Sequence, residues 1–408
     1  MKENIQGLTQ ALKEEASALL EKHFGNTVKI GSIISLREEP DRRNNVFRII
    51  LKNNDHSVPS SVILKQSLPE PSDSDDKDAY ARFSRDWAGL AFLNSLPGIA
   101  HTIPKLYAGS KAQRFVIIED LGNEHISLVD ALTIPDKDKA ISALDRFVKS
   151  LGKFHAASFG KIPHYGTFLF KINEHANTLS EDLIFNLEDL ISNLKLANQR
   201  LALPVRDNIL IEATEIIKAI IEPGDFTVLT HGDICPDNVF DHDNEMQLID
   251  FEWISPRNAL LDGTYLRMSM PTCWCAKAIP DDIIEASETI YRDELKARIP
   301  AASDEQAYHR AYTQACGFWL LRTMCALNST LEKDELWPSD KIPEKSLWKA
   351  DENWVRPRVF SRLHSFVLVA NKHDMFPHLR EMTIRILSAL ESRWPKTSSL
   401  DFYPAFKI

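Results

Sequence analysis

Three features of this 408-residue chain combine residue types and spacing that could do chemistry: His231-Gly232-Asp233, then Asn238 five positions after the aspartate, then Asp250 seventeen after it. A carboxylate can take the proton of a hydroxyl, and an amide with a second carboxylate can hold metal ions against phosphates. Phosphoryl transfer from a nucleotide asks for those parts, because its transition state needs positioning and charge stabilisation more than covalent help. Asp233 is the candidate base, Asn238 and Asp250 are the candidate Mg2+ ligands, and ATP is the expected phosphate donor. Asp233 and Asn238 alone could equally be turn formers beside Pro236. A downstream aspartate and an upstream lysine in the right order are not features that a turn requires. His231 reads as a packing residue, since a lone histidine is more often a satisfied core group than a catalyst.

The elements that must position these residues follow from apolar periodicity. Runs at 227–230, 239–240 and 246–249 read as short strands of a hairpin region around the loop, with 241–244 supplying turn residues. Upstream, 28–36, 46–51 and 61–66 read as an antiparallel meander, and 106–109 with 114–119 complete a five-stranded sheet. A leading helix is expected over 5–24, ending at Gly25, and another over 79–96 after the acidic, turn-rich stretch 68–78. Beyond residue 127 the pattern is helical: 140–157, 181–200, 205–221, 281–299, 305–330 and 357–369.

Composition narrows the partners. The chain has 48 Lys and Arg against 58 Asp and Glu, a formal net charge of −10, so it offers no basic field for nucleic acid. A small-molecule acceptor, of cationic type, suits an acidic protein better. No apolar run reaches the ~20 residues of a membrane helix, and the first residues lack the apolar region of a signal peptide, so no membrane association and a cytoplasmic location are expected. The five cysteines, Cys235, Cys273, Cys275, Cys316 and Cys325, are odd in number and fit reduced thiols; Cys273-Trp274-Cys275 reads as structural, not as a metal site. The sequence leaves the oligomeric state open.

His-Gly-Asp with Asn five after the Asp, followed by Ile249-Asp250-Phe251-Glu252, parallels the kinase catalytic loop and its downstream metal aspartate. The chain resembles the aminoglycoside phosphotransferase and choline kinase superfamily over roughly residues 25–270. The resemblance implies an α+β, protein-kinase-like two-lobed fold: a small N-terminal antiparallel sheet lobe over 1–121 that clamps the nucleotide, and a larger, mostly helical C-terminal lobe over 122–408. It implies an ATP-dependent small-molecule kinase acting on a hydroxyl of an aminoglycoside, amino alcohol, sugar or related metabolite. Lys65, closing Val62-Ile63-Leu64-Lys65, resembles the strand lysine that contacts nucleotide phosphates, with a solvated edge lysine as the bland alternative. Asp86 stands where the family usually has a glutamate to pair that lysine. Backbone groups at Glu119 and Leu121 resemble the hinge that reads adenine. The phosphate loop 37–45 has no glycine, so Arg42, Arg43 or Asn44 would reach the phosphates instead. Asp262 resembles an aspartate that steadies the catalytic segment or else caps a helix, and Glu252 is either a ligand for a cation or a surface residue. Asp86 and the glycine-free loop motivate the other reading, a catalytically silent nucleotide-binding regulatory protein.

Overall fold

The computed structural model describes residues 9–25, 27–36, 43–52, 57–69, 77–123, 126–176, 187–242, 245–333, 336 and 352–407. In chain order the strands are β1 (Lys29–Ser35), β2 (Asn44–Lys52), β3 (Ser61–Ser67), β4 (Leu106–Ser110), β5 (Phe115–Glu119), β6 (Thr227–Thr230), β7 (Val239–His242), β8 (Glu245–Leu248) and β9 (Ser255–Asn258). The helices are α1 (Gln10–Phe24), α2 (Lys77–Asn94), α3 (Leu128–Thr133), α4 (Lys137–Ser158), α5 (Ile162–Ile172), α6 (Leu187–Arg200), α7 (Asp207–Ile221), α8 (Ala259–Gly263), α9 (Asp281–Lys296), α10 (Glu305–Glu332), α11 (Val355–Lys372) and α12 (Pro377–Arg393). They divide between two compact units. The first comprises Met1–His125, Pro163–Thr178 and Gln247–Ile254, and the second Ile126–Ile162, Leu179–Met246 and Ser255–Ile408.

The first unit is built on an antiparallel sheet of order β1-β2-β3-β5-β4, the five strands expected. Helix α1 starts where the Thr9 hydroxyl accepts from the Leu12 amide and stops at Gly25, whose φ of 69° suits a residue without Cβ. Its buried Leu12, Ala16 and Leu20, one turn apart, join Val62, Leu64, Phe115 and Ile117 in a shared core. Strand side chains alternate between faces, so placing Val62 and Leu64 in that core puts Lys65 on the opposite face. Helix α2 turns a buried stripe containing Asp86, Gly89 and Leu90 toward the turn Phe251–Trp253. Gly89 is needed there, because a Cβ would stand 3.0 Å from two carbons of Ile254.

The second unit is mainly helical. Helix α4 packs along α9, and α10 packs against α6, α7 and α11. The α+β class, a small antiparallel sheet unit with a larger helical one, is therefore the architecture present. Local detail departs from the sequence reading in three ways. Strand β6 does not join the hairpin; it pairs antiparallel with β9, Thr227 opposite Asn258 and Thr230 opposite Ser255, a strand too short and too polar to announce itself. Helices α3, α5, α8 and α12 fall outside the expected helical ranges; α5 and α12 carry Pro163 and Pro377 in their first turns, where proline is well tolerated. Finally, the thiols are not all reduced: Cys235 and Cys273 form a disulfide across 38 positions, with Cα atoms 5.4 Å apart, while Cys275, Cys316 and Cys325 are free. An odd count says nothing about which cysteines the fold brings together. None of the described helices is long and apolar enough to cross a membrane.

Candidate active site

The residues singled out from the sequence assemble into two groups, one in each unit. In the sheet unit, the Lys65 ammonium lies 2.7 Å from Asp86 Oδ2 and 2.5 Å from Asp250 Oδ1. Asp86 is 4% exposed and uses its second oxygen as well, accepting from the Phe251 amide at 3.1 Å. One carboxylate thus fixes both the lysine and the backbone next to Asp250. The shorter arm of aspartate still reaches the lysine, at 2.7 Å. Asp250 itself has φ 69° and ψ 68°, a left-handed conformation that aspartate tolerates better than most residues and that costs energy its neighbours must supply.

Charge and burial work against each other in this group. Burial opposes the Lys65 charge, yet Asp250, then Asp86 and Glu252, hold its pKa above the ordinary lysine value. Burial pushes the Asp86 carboxyl up, against the pull of Lys65. Glu252 is pushed up by burial and by Asp250, with Lys65 and Arg43 opposing. Glu252 is not a surface residue: it is 7% exposed, with Arg43 at 3.6 Å and Asn44 Nδ2 at 3.5 Å. Asn44 begins β2 and is buried; residues 37–42 of the expected phosphate loop lie outside the described residues. Glu119 ends β5, with its amide donating to Lys105 O at 2.8 Å and its carboxylate accepting from the Lys105 amide at 3.1 Å. Leu121 follows, between Asp120, which Arg48 Nε meets at 2.6 Å, and Gly122 at φ 89°. Burial works against the Asp120 charge, but the Arg48 hydrogen bond outweighs it and holds the carboxyl below its usual value.

In the helical unit the loop after β6 carries His231, Gly232, Asp233 and Asn238. Gly232 adopts φ 82°, which a side chain would resist, so the middle position of the motif has a backbone reason. The Asp262 carboxylate accepts from the His231 amide at 2.6 Å and the Gly232 amide at 3.3 Å, and His155 Nε2 lies 3.2 Å away. Asn258, not Asp262, caps helix α8. Although burial opposes it, Asp262 is held below the usual aspartate range by the His155 hydrogen bond and by the imidazoles of His155 and His231. His231 is fully buried, as its packing role anticipates. Asn238 donates from Nδ2 to the Asp233 carbonyl at 3.1 Å and closes the loop on itself, which leaves its amide oxygen as a hard donor of the kind Mg2+ prefers. Asp233 Oδ1 accepts from the Thr272 hydroxyl at 2.6 Å.

Thr272, His155 and Tyr265 carry no motif and were not foreseen; only the neighbouring Cys273-Trp274-Cys275 drew attention. Further along, Trp319 donates to the Leu261 carbonyl at 3.1 Å. Among the described residues no group of three or more His, Cys, Asp or Glu side chains is placed to hold a metal. Metal ions carried by nucleotide phosphates need only one or two protein ligands.

Such a sheet unit with a paired strand lysine, and a His-Gly-Asp loop in a helical unit, define a phosphotransferase. Residues 40–272 match the profile of the phosphotransferase enzyme family, and the chain belongs to that family. No curated protein matches the sequence. Similar solved structures include a choline kinase of Streptococcus pneumoniae, at 13% identity and a TM-score of 0.43 over 88% of this chain and 98% of that one. An ethanolamine kinase of Plasmodium vivax is 11% identical, with a TM-score of 0.46 over 90% and 92%. A choline kinase of Cryptosporidium parvum is 10% identical, with a TM-score of 0.43 over 93% and 97%.

Proposed function

We propose that this phosphotransferase moves the γ-phosphate of ATP to a hydroxyl of a small molecule. The observation that carries the reading is the Lys65 ammonium bonded to both Asp86 and Asp250, the arrangement that presents a lysine to phosphates and a carboxylate to their metal. Lys65 binds the nucleotide phosphates, with Asp86 orienting it, and Asn44 supplements the phosphate contacts. Backbone groups at Glu119 and Leu121 read the adenine. Asp250 and Asn238 would hold Mg2+, which when bound neutralises charge on the phosphates. The acceptor oxygen forms a bond to the γ-phosphorus as the bond to the ADP oxygen breaks, and Asp233 takes the hydroxyl proton.

ADP release from Mg·ATP, measured across aminoglycosides, choline-like amines, amino alcohols and sugars, tests this. Asp233→Ala is expected to lower a stimulated rate on the order of 10²–10⁴-fold while sparing ATP binding. Asp250→Asn is expected to weaken Mg·ATP binding, read by titration at varied Mg2+; unchanged affinity overturns that assignment. ATP bound without stimulation by any acceptor favours the silent regulatory reading.

A further inference from the structure

The segment after α8 touches the catalytic loop in a regular way that nothing in the family's motif requires. Its consecutive residues Thr272, Cys273 and Trp274 meet the alternate loop residues 233, 235 and 237. Thr272 donates to Asp233 Oδ1 at 2.6 Å, Cys273 is disulfide-bonded to Cys235, and Trp274 Nε1 donates to Asp237 Oδ2 at 2.8 Å. One short strip of chain thus grips three loop positions at once. The Tyr265 hydroxyl stands 3.1 Å from Thr272 Oγ1 and 3.3 Å from the Gly232 carbonyl, closing the group around the His-Gly-Asp turn.

The strip is itself held from behind by two buried guanidinium groups of α11. Arg358 donates to the carbonyls of Cys273 and Trp274, each at 2.5 Å. Arg362 donates to the Met268 carbonyl at 3.2 Å and also reaches those of Ser269 and Met270. Burying two arginines against carbonyls is an expensive way to fasten a connecting segment; burial, opposed in part by Cys275 and Tyr403, pushes Arg358 down to about 10. Ser269 and Met270 also hold positive φ of 55° and 47°, strain that persists only where surroundings impose it. The cost is understandable if the strip has to hold something in place.

We propose that Thr272–Trp274 is a brace that aims the Asp233 carboxylate, with Thr272 as the positioning residue. This rests on the reading of Asp233 as the base. The threonine hydroxyl donating to Oδ1 fixes the rotation of the carboxylate, and the disulfide and the Trp274 hydrogen bond keep the loop from rotating away. Misplacing a reacting group by about 1 Å can cost on the order of 100-fold in rate.

The test compares wild type with Thr272→Val, Thr272→Ser, Asp233→Asn and the Thr272→Val/Asp233→Asn double variant. In the Mg·ATP assay with the best acceptor of the panel, Thr272→Val should lower kcat roughly 10- to 100-fold with KM for Mg·ATP little changed, and Thr272→Ser should recover most of it. An unchanged kcat in Thr272→Val, or a serine variant as slow as the valine one, overturns the proposal. Urea unfolding of wild type, Thr272→Val, Asp233→Asn and the double variant gives a cycle that needs no acceptor. The unfolding constants should be non-additive on the order of fivefold. Additivity overturns the brace even if every acceptor proves inert, whereas coupling with an inert panel upholds the contact and counts against the phosphotransfer reading alone.

Discussion

In the sheet unit one lysine is surrounded by the carboxylates of Asp86, Asp250 and Glu252, whereas in the helical unit Asp233 accepts from a hydroxyl, its loop's amides donate to Asp262, and a disulfide ties down Cys235 beside it. The first group concentrates charge, and its members shift one another's proton affinity. Its geometry depends on every charge being matched, since a buried carboxylate or ammonium is costly when a partner leaves. The second group concentrates position. Asp233 accepts from the Thr272 hydroxyl, and the Asp262 carboxylate acts on the backbone amides of His231 and Gly232, two and one positions before Asp233. The two groups are therefore stabilised by different physics, and each should break differently.

The largest stability effect is expected at the lysine. Asp86→Ala strips Lys65 of one partner and the Phe251 amide of its acceptor, and should cost about 3–5 kcal/mol in urea unfolding. A loss well below 1 kcal/mol would mean that Asp250 and Glu252 suffice to hold the ammonium.

Next comes the covalent staple. Cys273→Ser opens a loop spanning 38 positions and should lower stability by about 2–4 kcal/mol. Dithiothreitol should produce the same shift in wild type and none in the variant; a wild type indifferent to reductant would remove the covalent element from the contrast.

The smallest effect is a pH slope. Asp262 has a folded pKa below its unfolded value, which lies near ~3.9. Its ionised form then contributes in full above the unfolded value, and that contribution disappears as pH falls through the lower folded value. Thermal unfolding followed from pH 6 down to about pH 3 should steepen below about pH 4 in wild type and be flatter in Asp262→Asn. Equal slopes would show that the His231 and Gly232 amides do not depend on that charge.

Much of this was legible beforehand because it is local. Alternation along β3 separates Lys65 from Val62 and Leu64; Thr9 and Gly25 bound α1; the spacing from Asp233 through Asn238 to Asp250 outlines a loop and a returning strand. Glu252, by contrast, reads equally as a cation ligand or a surface residue, and its burial follows from where α2 and β2 pack against the turn that carries it. Asp86 is shorter than the glutamate the resemblance calls for, and only the packed structure shows that it reaches Lys65 all the same.

What the sequence by itself determined is the set of reactive groups, the family and the α+β class, since motif spacing and apolar period are properties of neighbouring residues. Only the tertiary structure decided that Cys235 meets Cys273, that β6 pairs with β9 and that Thr272 donates to Asp233. Those contacts join residues about 25 to 40 positions apart, and their distances are set by how helices and strands pack together, which no local pattern encodes.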